Sequence, residues 1–160
     1  MDTIGFDRHD HAACIAEGLS AAEARCREAG LQLTPVRRRV LEILLERHRA
    51  LGAYEILDIL REEGLGSQPP VAYRALDFLQ TQGFAHRIEK LNAFIACASP
   101  GEAHDPAFLI CRACSAVAEA QQEPSNSVLG RKARGAGFLI ENTVLEAEGI
   151  CPNCRAGARP

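Results

Sequence analysis

At 160 residues the chain has room for one domain or two small ones, and its 47% hydrophobic and 24% charged content is that of an ordinary globular protein. No apolar run approaches the ~20 residues a membrane-spanning helix needs, and Met1-Asp2-Thr3-Ile4-Gly5 lacks the basic and then apolar stretches of a secretory leader, so a cytoplasmic location is expected. The net charge of -3 excludes a globally basic nucleic-acid binder, and residues 1–97 are slightly acidic too, so any DNA contact has to come from a local cluster such as Arg37-Arg38-Arg39 with Arg74.

Residues 1–19 are polar and irregular and read as a flexible N-terminal tail; Asp7, His9, Asp10 and His11 are taken as part of that tail and not as a metal site. A first helix is expected from Ser20, as its N-cap, to a stop at Gly30. A second opens at Thr34-Pro35, an N-cap followed by proline at the first helical position. Its Val36, Val40, Leu41, Leu44 and Leu45 recur at helical spacing and form one apolar face. The third runs from Ala53 to Glu63 and stops at Gly64, with Ile56, Leu57, Ile59 and Leu60 inward. The fourth follows Pro69-Pro70 and ends at Gly83, with Ala72, Leu76 and Leu79 inward. The period then changes: Phe84 to Glu89 and Ala93 to Cys97 read as two strands of a hairpin around Leu91-Asn92. Helices followed by a β-hairpin give the order of a winged helix-turn-helix, whose last helix enters the major groove. Residues 20–98 are therefore read as a DNA-binding domain.

Ser99-Pro100-Gly101-Glu102 breaks the pattern, and a hinge is placed at 99–104. Beyond it, Phe108-Leu109-Ile110 and Ala116 to Ala120 read as strands, Ser125 to Ala136 as a helix, and Phe138 to Glu148 as a longer strand. Residues 105–160 thus form a small α/β domain, and the chain as a whole is α+β. Domains that small usually need a metal or a partner chain.

Seven cysteines in a reducing compartment, an odd number, argue for metal or thiol chemistry over a disulfide framework. Cys111-x-x-Cys114 and Cys151-x-x-Cys154 are two matched pairs, each following an apolar segment, as in a zinc knuckle. Two such turns close a four-thiolate tetrahedral shell, so a structural zinc is expected there. A redox dithiol would need only one such pair. Cys26 is read as a buried small hydrophobe and Cys14 as an unpaired thiol. A subtler set is His86, Cys97, His104 and Glu119, which share no compact motif. Their donors suit a neutral, more exchangeable zinc site, although a histidine on a strand is more often a packed or surface residue.

Leu31-Gln32-Leu33-Thr34-Pro35-Val36-Arg37-Arg38 resembles the LTPQR-type opening of the ferric uptake regulator family, and Pro69 to Leu79 is similar to that family's recognition helix. Gly83 to Glu89 looks like the start of its wing, and the double CxxC completes a match running from about residue 20 to 155. The zinc uptake regulator branch looks most similar. In that branch the positions matched by His86, Cys97, His104 and Glu119 are regulatory zinc ligands. The histidine-rich run of iron-sensing relatives is absent, with Ala103-His104-Asp105-Pro106 in its place. Val71-Ala72 stands where the family has Thr-Val, removing a hydroxyl near the helix start.

The resemblance implies a non-enzymatic, zinc-responsive repressor of zinc-uptake genes. It implies two zinc ions per subunit and a homodimer that binds palindromic operator DNA, its zinc clamp fixing the spacing of paired reading helices. Tyr73 and Arg74 are the expected base contacts, through a thymine methyl and a guanine edge. Thr34, Arg37 and Arg38 are the expected phosphate contacts, although Glu42 and Glu46 could make the arginine run a salt-bridged solvated face. Asp58 and Arg61 could pair within their helix or between neighbouring dimers. A family sensor of iron, manganese or peroxide, or a zinc-stabilised interaction module, remain alternatives. A zinc deaminase does not, because neither His86-Arg87-Ile88-Glu89 nor Ile150-Cys151-Pro152-Asn153-Cys154 has the required spacing.

Overall fold

A computed structural model of the chain describes residues 3, 4, 6, 11–47, 49–101, 104–122 and 127–157. In chain order its elements are β1 (Thr3–Ile4), α1 (His11–Glu28), α2 (Pro35–Leu45), α3 (Ala53–Glu62), α4 (Pro69–Thr81), β2 (Ala85–Ile88), β3 (Ala93–Ala96), β4 (Asp105–Cys111), β5 (Val117–Gln122), α5 (Val128–Gly135), β6 (Leu145–Gly149) and α6 (Pro152–Arg155). They fall into two compact units, Asp7–Gly101 and Met1–Phe6 with Glu102–Pro160. No helix among the described residues is long and apolar enough to cross a membrane.

The first unit is the helical bundle with its hairpin. Helix α1 starts at His11, well before the Ser20 cap read from the sequence, so the second half of the expected tail, from His11 on, is helical. Ile15 and Leu19, one turn apart, give this extension an apolar face, and both pack on the core. Gly18 lies where a Cβ would sit 2.8 Å from Leu45 Cδ1, so its small size lets α1 approach α2 closely. Asp7, His9 and Asp10 lie outside the described residues.

Gly30 stops α1 with φ +68, and Leu31 N–H closes on Cys26 O at 2.8 Å. Thr34 caps α2, its side chain accepting Arg37 N–H at 3.4 Å. On α2, Val40, Leu41 and Leu44 are buried as expected; Ile43, which the periodic reading missed, is buried too, while Val36 and Leu45 are only partly covered. On α3, Ile56, Leu57 and Leu60 are buried and Ile59 packs beside them. Gly52 caps α3, and Glu55 accepts the Gly52 N–H at 2.9 Å. Ala72, Ala75, Leu76 and Leu79 turn α4 into the same core. Arg39 of α2 binds Glu63 just past α3 at 2.7 Å, together with Glu46 at 2.9 Å and Glu42 at 3.3 Å. Asp58 and Arg61 pair within α3 at 3.1 Å.

Strands β2 and β3 pair antiparallel from Ala85↔Ala96 to Ile88↔Ala93. Asn92 takes the left-handed turn conformation between them, φ 45. Leu51 bridges to Phe94, seating the hairpin on the bundle.

The second unit is a four-stranded sheet in the order β1-β5-β4-β6. Strands β4 and β5 are antiparallel, β1 pairs antiparallel with β5, and β6 runs parallel to β4. Phe108, Ile110, Val117, Ala118 and Ala133 are among its buried residues. Helix α5 begins after Ser127, whose hydroxyl accepts Gly130 N–H at 2.9 Å; residues 125 and 126 of the expected helix lie outside the described residues.

The expected strand from Phe138 is cut to Leu145–Gly149. Phe138 belongs to the stop of α5 instead, its N–H closing on Ala133 O at 2.8 Å beyond Gly137, φ +68. The parallel ladder starts at Ala107↔Leu145, and a further step would bring Val144 alongside Pro106, which has no N–H to donate.

Candidate metal and nucleic-acid sites

The sheet of the second unit brings the four spaced cysteines together. Strand β4 ends at Cys111, and Ser115 (φ 64) turns the chain back, with Ser115 N–H on Cys111 O and Cys111 N–H on Ala116 O, both at 2.9 Å. Parallel pairing of Cys111 with Gly149 carries β6 to the same end of the sheet, and Cys151 follows as the N-cap of α6, which holds Cys154. The short α6, not anticipated from the sequence, is how the second CxxC turns. Asn153 within it donates to Phe6 O at 3.3 Å.

The sulfurs of Cys111, Cys114, Cys151 and Cys154 all lie within 4.8 Å of one another. Cys114 Sγ and Cys151 Sγ are 3.8 Å apart, far beyond a disulfide. A tetrahedral shell with Zn–S near ~2.3 Å has sulfur–sulfur edges of about 3.8 Å, so the donor set and its spacing fit a zinc ion. Cys151 N–H points at Cys111 Sγ, 3.3 Å away. That bond, with the N–H of Cys114, lowers the Cys111 thiol to about 6. A hydrogen bond with the Cys151 side chain, then burial, pushes Cys154 up to about 12. One thiolate therefore forms easily and the last resists, a conflict that a divalent cation removes.

The mixed set divides between the two units. In the first, His86 lies on β2 and Cys97 just beyond β3, where Cys97 N–H reaches Phe84 O at 2.9 Å. With Phe84 opposite Cys97, His86 and Cys97 are diagonal neighbours on one face of the hairpin, with the His86 side chain half-buried and the Cys97 thiol buried. In the second unit, His104 Nε2 and Glu119 Oε1 are hydrogen-bonded at 2.7 Å. Glu119 is the one charged side chain buried among the described residues, 4% exposed. A carboxylate in that position needs a partner, and the imidazole provides one.

Tyr73 and Arg74 both stand exposed on α4, on the side away from Ala72, Ala75 and Leu76. The proximal arginines are more engaged than the sequence suggested. Arg38 pairs with Glu23 of α1, and Arg39 with its three glutamates. Arg37 donates to Gln32 O at 2.7 Å and lies 3.8 Å above the centre of the Phe78 ring. No spacing rule announces that stack, because its partners are on different helices. Helix α4, with Val71-Ala72 in its first turn, is capped by Gln68 without a side-chain bond and started by two prolines. Val71 instead packs against Gly66, where a Cβ would come within 2.6 Å of its Cγ1. Cys26 is buried, and burial raises its thiol.

Residues 28–148 match the profile of the Ferric uptake regulator family. The Zinc uptake regulation protein of Escherichia coli (strain K12) is 38% identical over 139 residues, covering 86% of this chain and 81% of that protein. A solved zinc uptake regulator complexed with zinc and DNA aligns with TM-score 0.84 at 37% identity, covering 89% of this chain and 96% of that one. The crystal structure of holo XcZur aligns at TM-score 0.79 and 40% identity, covering 88% and 98%.

Proposed function

The chain belongs to the ferric uptake regulator family, and on that footing we propose that it is a zinc-responsive transcriptional repressor, a homodimer that binds palindromic operator DNA when zinc-loaded and represses zinc-uptake genes. The observation that carries this reading is the likeness, along nearly nine-tenths of the chain, to a regulator solved with both zinc and DNA. It acts by binding and not by catalysis, in keeping with relatives that are uptake regulators.

Two zinc ions per subunit are assigned. Cys111, Cys114, Cys151 and Cys154 would hold the structural one, and His86, Cys97, His104 and Glu119 the exchangeable one. Bound zinc supplies a divalent charge and fixed ligand directions. In the second set, one thiolate and one carboxylate balance that charge while two neutral imidazoles complete the shell. Because His86 and Cys97 belong to the DNA-reading unit and His104 and Glu119 to the other, sharing one ion restricts where the reading helix stands. Operator DNA and zinc must then tighten each other's binding by the same factor. Moving a population from 1:99 to 99:1 takes a differential of roughly 10⁴.

At the DNA, Tyr73 and Arg74 are the base readers, and the start of α2 with Thr34, Arg37 and Arg38 forms the edge beside the phosphates. The second unit carries the dimer face. Val128, Leu129, Phe138, Leu139 and Val144 are each more than half exposed, an apolar surface that a second copy would cover.

Metal counting and a mobility-shift assay test the reading together. Two zinc ions per chain are expected, one resistant to mild chelation, with DNA binding lost when the other is removed. His86→Ala or Cys97→Ala should abolish zinc-dependent binding in a folded dimer. Equal DNA binding with and without zinc would refute the proposal.

A further inference from the structure

The contact between Arg37 and Phe78 gives the base-reading helix a second anchor, besides its buried face. Arg37 sits in the first turn of α2, where its own N–H is bound by the Thr34 cap at 3.4 Å and its guanidinium by Gln32 O at 2.7 Å. The loop before α2 and the first turn of α2 therefore hold this side chain at both ends. The guanidinium plane is then laid on Phe78 of α4, 3.8 Å from the ring centre, at stacking distance. Phe78 is one helical turn beyond Arg74, at i,i+4, so the two project from neighbouring positions on the same side of α4. Arg74 and the adjacent Tyr73 are exposed, whereas Phe78 is half-covered.

We propose that Arg37 is a positioning residue: by clamping Phe78 it sets the rotation of α4 about its own axis, and hence the aim of Tyr73 and Arg74 into the groove, in place of neutralising a phosphate. This rests on the repressor reading and refines the part played by one residue of its DNA edge. The chemistry favours it. A guanidinium already bonded to a carbonyl and stacked on a ring is a fixed strut, and its charge is partly taken up by the ring face. Arg38, one residue on, pairs only with a surface glutamate of α1 among the described interactions, so it is the better source of a phosphate contact.

The two roles differ in what they do to salt dependence and to sequence discrimination. A lost phosphate contact flattens the slope of log affinity against log salt by ~0.9 for each phosphate released and weakens all duplexes alike. A mis-aimed helix leaves that slope and lowers the preference for the right bases.

The probe is a duplex selected from random sequence by the zinc-loaded wild-type protein, with a copy mutated at its most selective positions and a scrambled control. Affinities for all three are measured over a salt series. For Arg37→Ala, the selected-over-mutated ratio should fall about three- to thirtyfold at unchanged salt slope. Phe78→Leu should reproduce that loss and add nothing to Arg37→Ala in a double-mutant cycle. Arg37→Lys, which keeps the charge and loses the planar stack, should not restore discrimination. Active protein is counted by stoichiometric titration at high concentration, so that misfolding appears as a lost fraction and not as lost preference.

A flattened salt slope with the base preference kept, or full rescue by lysine, would overturn the positioning role and make Arg37 a phosphate ligand. So would independent, additive effects of Arg37→Ala and Phe78→Leu. A wild-type chain that selects no duplex with zinc sinks the repressor reading itself, and the inference with it.

Discussion

Cys151→Ser should unfold the second unit and leave the first standing. Cys151 is buried, follows β6 at the start of α6, and its sulfur lies 3.8 Å from that of Cys114, so one sulfur removed opens the thiolate shell that joins the two CxxC turns. The large apolar side chains that this unit buries among the described residues are Phe108, Ile110 and Val117. Fully burying each contributes about 1.5–3 kcal/mol. A unit of some sixty residues has a net stability of about 3–9 kcal/mol. A structural zinc typically contributes an apparent ~10–16 kcal/mol, so losing the site removes more than the unit has in reserve.

The sequence separates the two units for the assay. Both tyrosines, Tyr54 and Tyr73, lie in Asp7–Gly101, and the chain has no tryptophan. Tyrosine fluorescence therefore reports the DNA-reading unit alone, while hydrogen exchange of peptides across β4 and β5 reports the other. In Cys151→Ser the β4–β5 amides should exchange within seconds and the tyrosine melt should stay within a few degrees of wild type. Protection of β4–β5 within about tenfold of wild type would show that the thiolate site does not carry the unit.

Other expectations follow from the same structure. Leu76→Ala, at a residue 1% exposed on the inward face of α4, should cost about 2–5 kcal/mol and lower the tyrosine-detected melt by at least roughly 10 °C. Glu55 is held below the usual carboxylate range by the Gly52 N–H first and by Arg49 second, so its folded value is depressed. Its contribution is then present above about 4.5 and lost as the pH falls through the folded value; because the side chain is half exposed, it amounts to a few tenths of a kcal/mol. Urea melts of wild type and Glu55→Ala should accordingly converge below that pH, and a gap that widens there would contradict the assignment. Leu139→Asp, at the most exposed large apolar side chain among the described residues, should shift sedimentation from dimer to monomer without changing the tyrosine melt.

Much of this architecture was legible because its punctuation is local. Thr34-Pro35, Pro69-Pro70, Gly30 and Gly64 act through their own backbone, and the helices begin and end at them. Ser20 misled, since a good cap residue inside a helix looks the same in sequence; only the packing of Ile15 and Leu19 shows that the helix extends back past it. The overlong final strand failed for a related reason. The apolar pattern from Phe138 onward is real, but the helix stop takes its first residue and Pro106 interrupts the ladder beside Val144. The cysteine cluster could be read from its spacing, because a CxxC turn is itself local geometry. His86, Cys97, His104 and Glu119 carry no such spacing, and family resemblance is what ties them together; within each unit, the hairpin puts His86 and Cys97 on one face, and His104 hydrogen-bonds Glu119. The Arg37–Phe78 stack, between helices far apart in the chain, leaves no trace in the pattern of either.

The central claim is that zinc at the mixed site and operator DNA bind as one linked event. Its most direct test is a zinc competition titration of the wild-type protein with its four-cysteine site kept full, run with and without the selected duplex. The exchangeable zinc should bind more tightly in the presence of DNA, by the same factor by which zinc tightens the DNA. A zinc affinity indifferent to the duplex would contradict it.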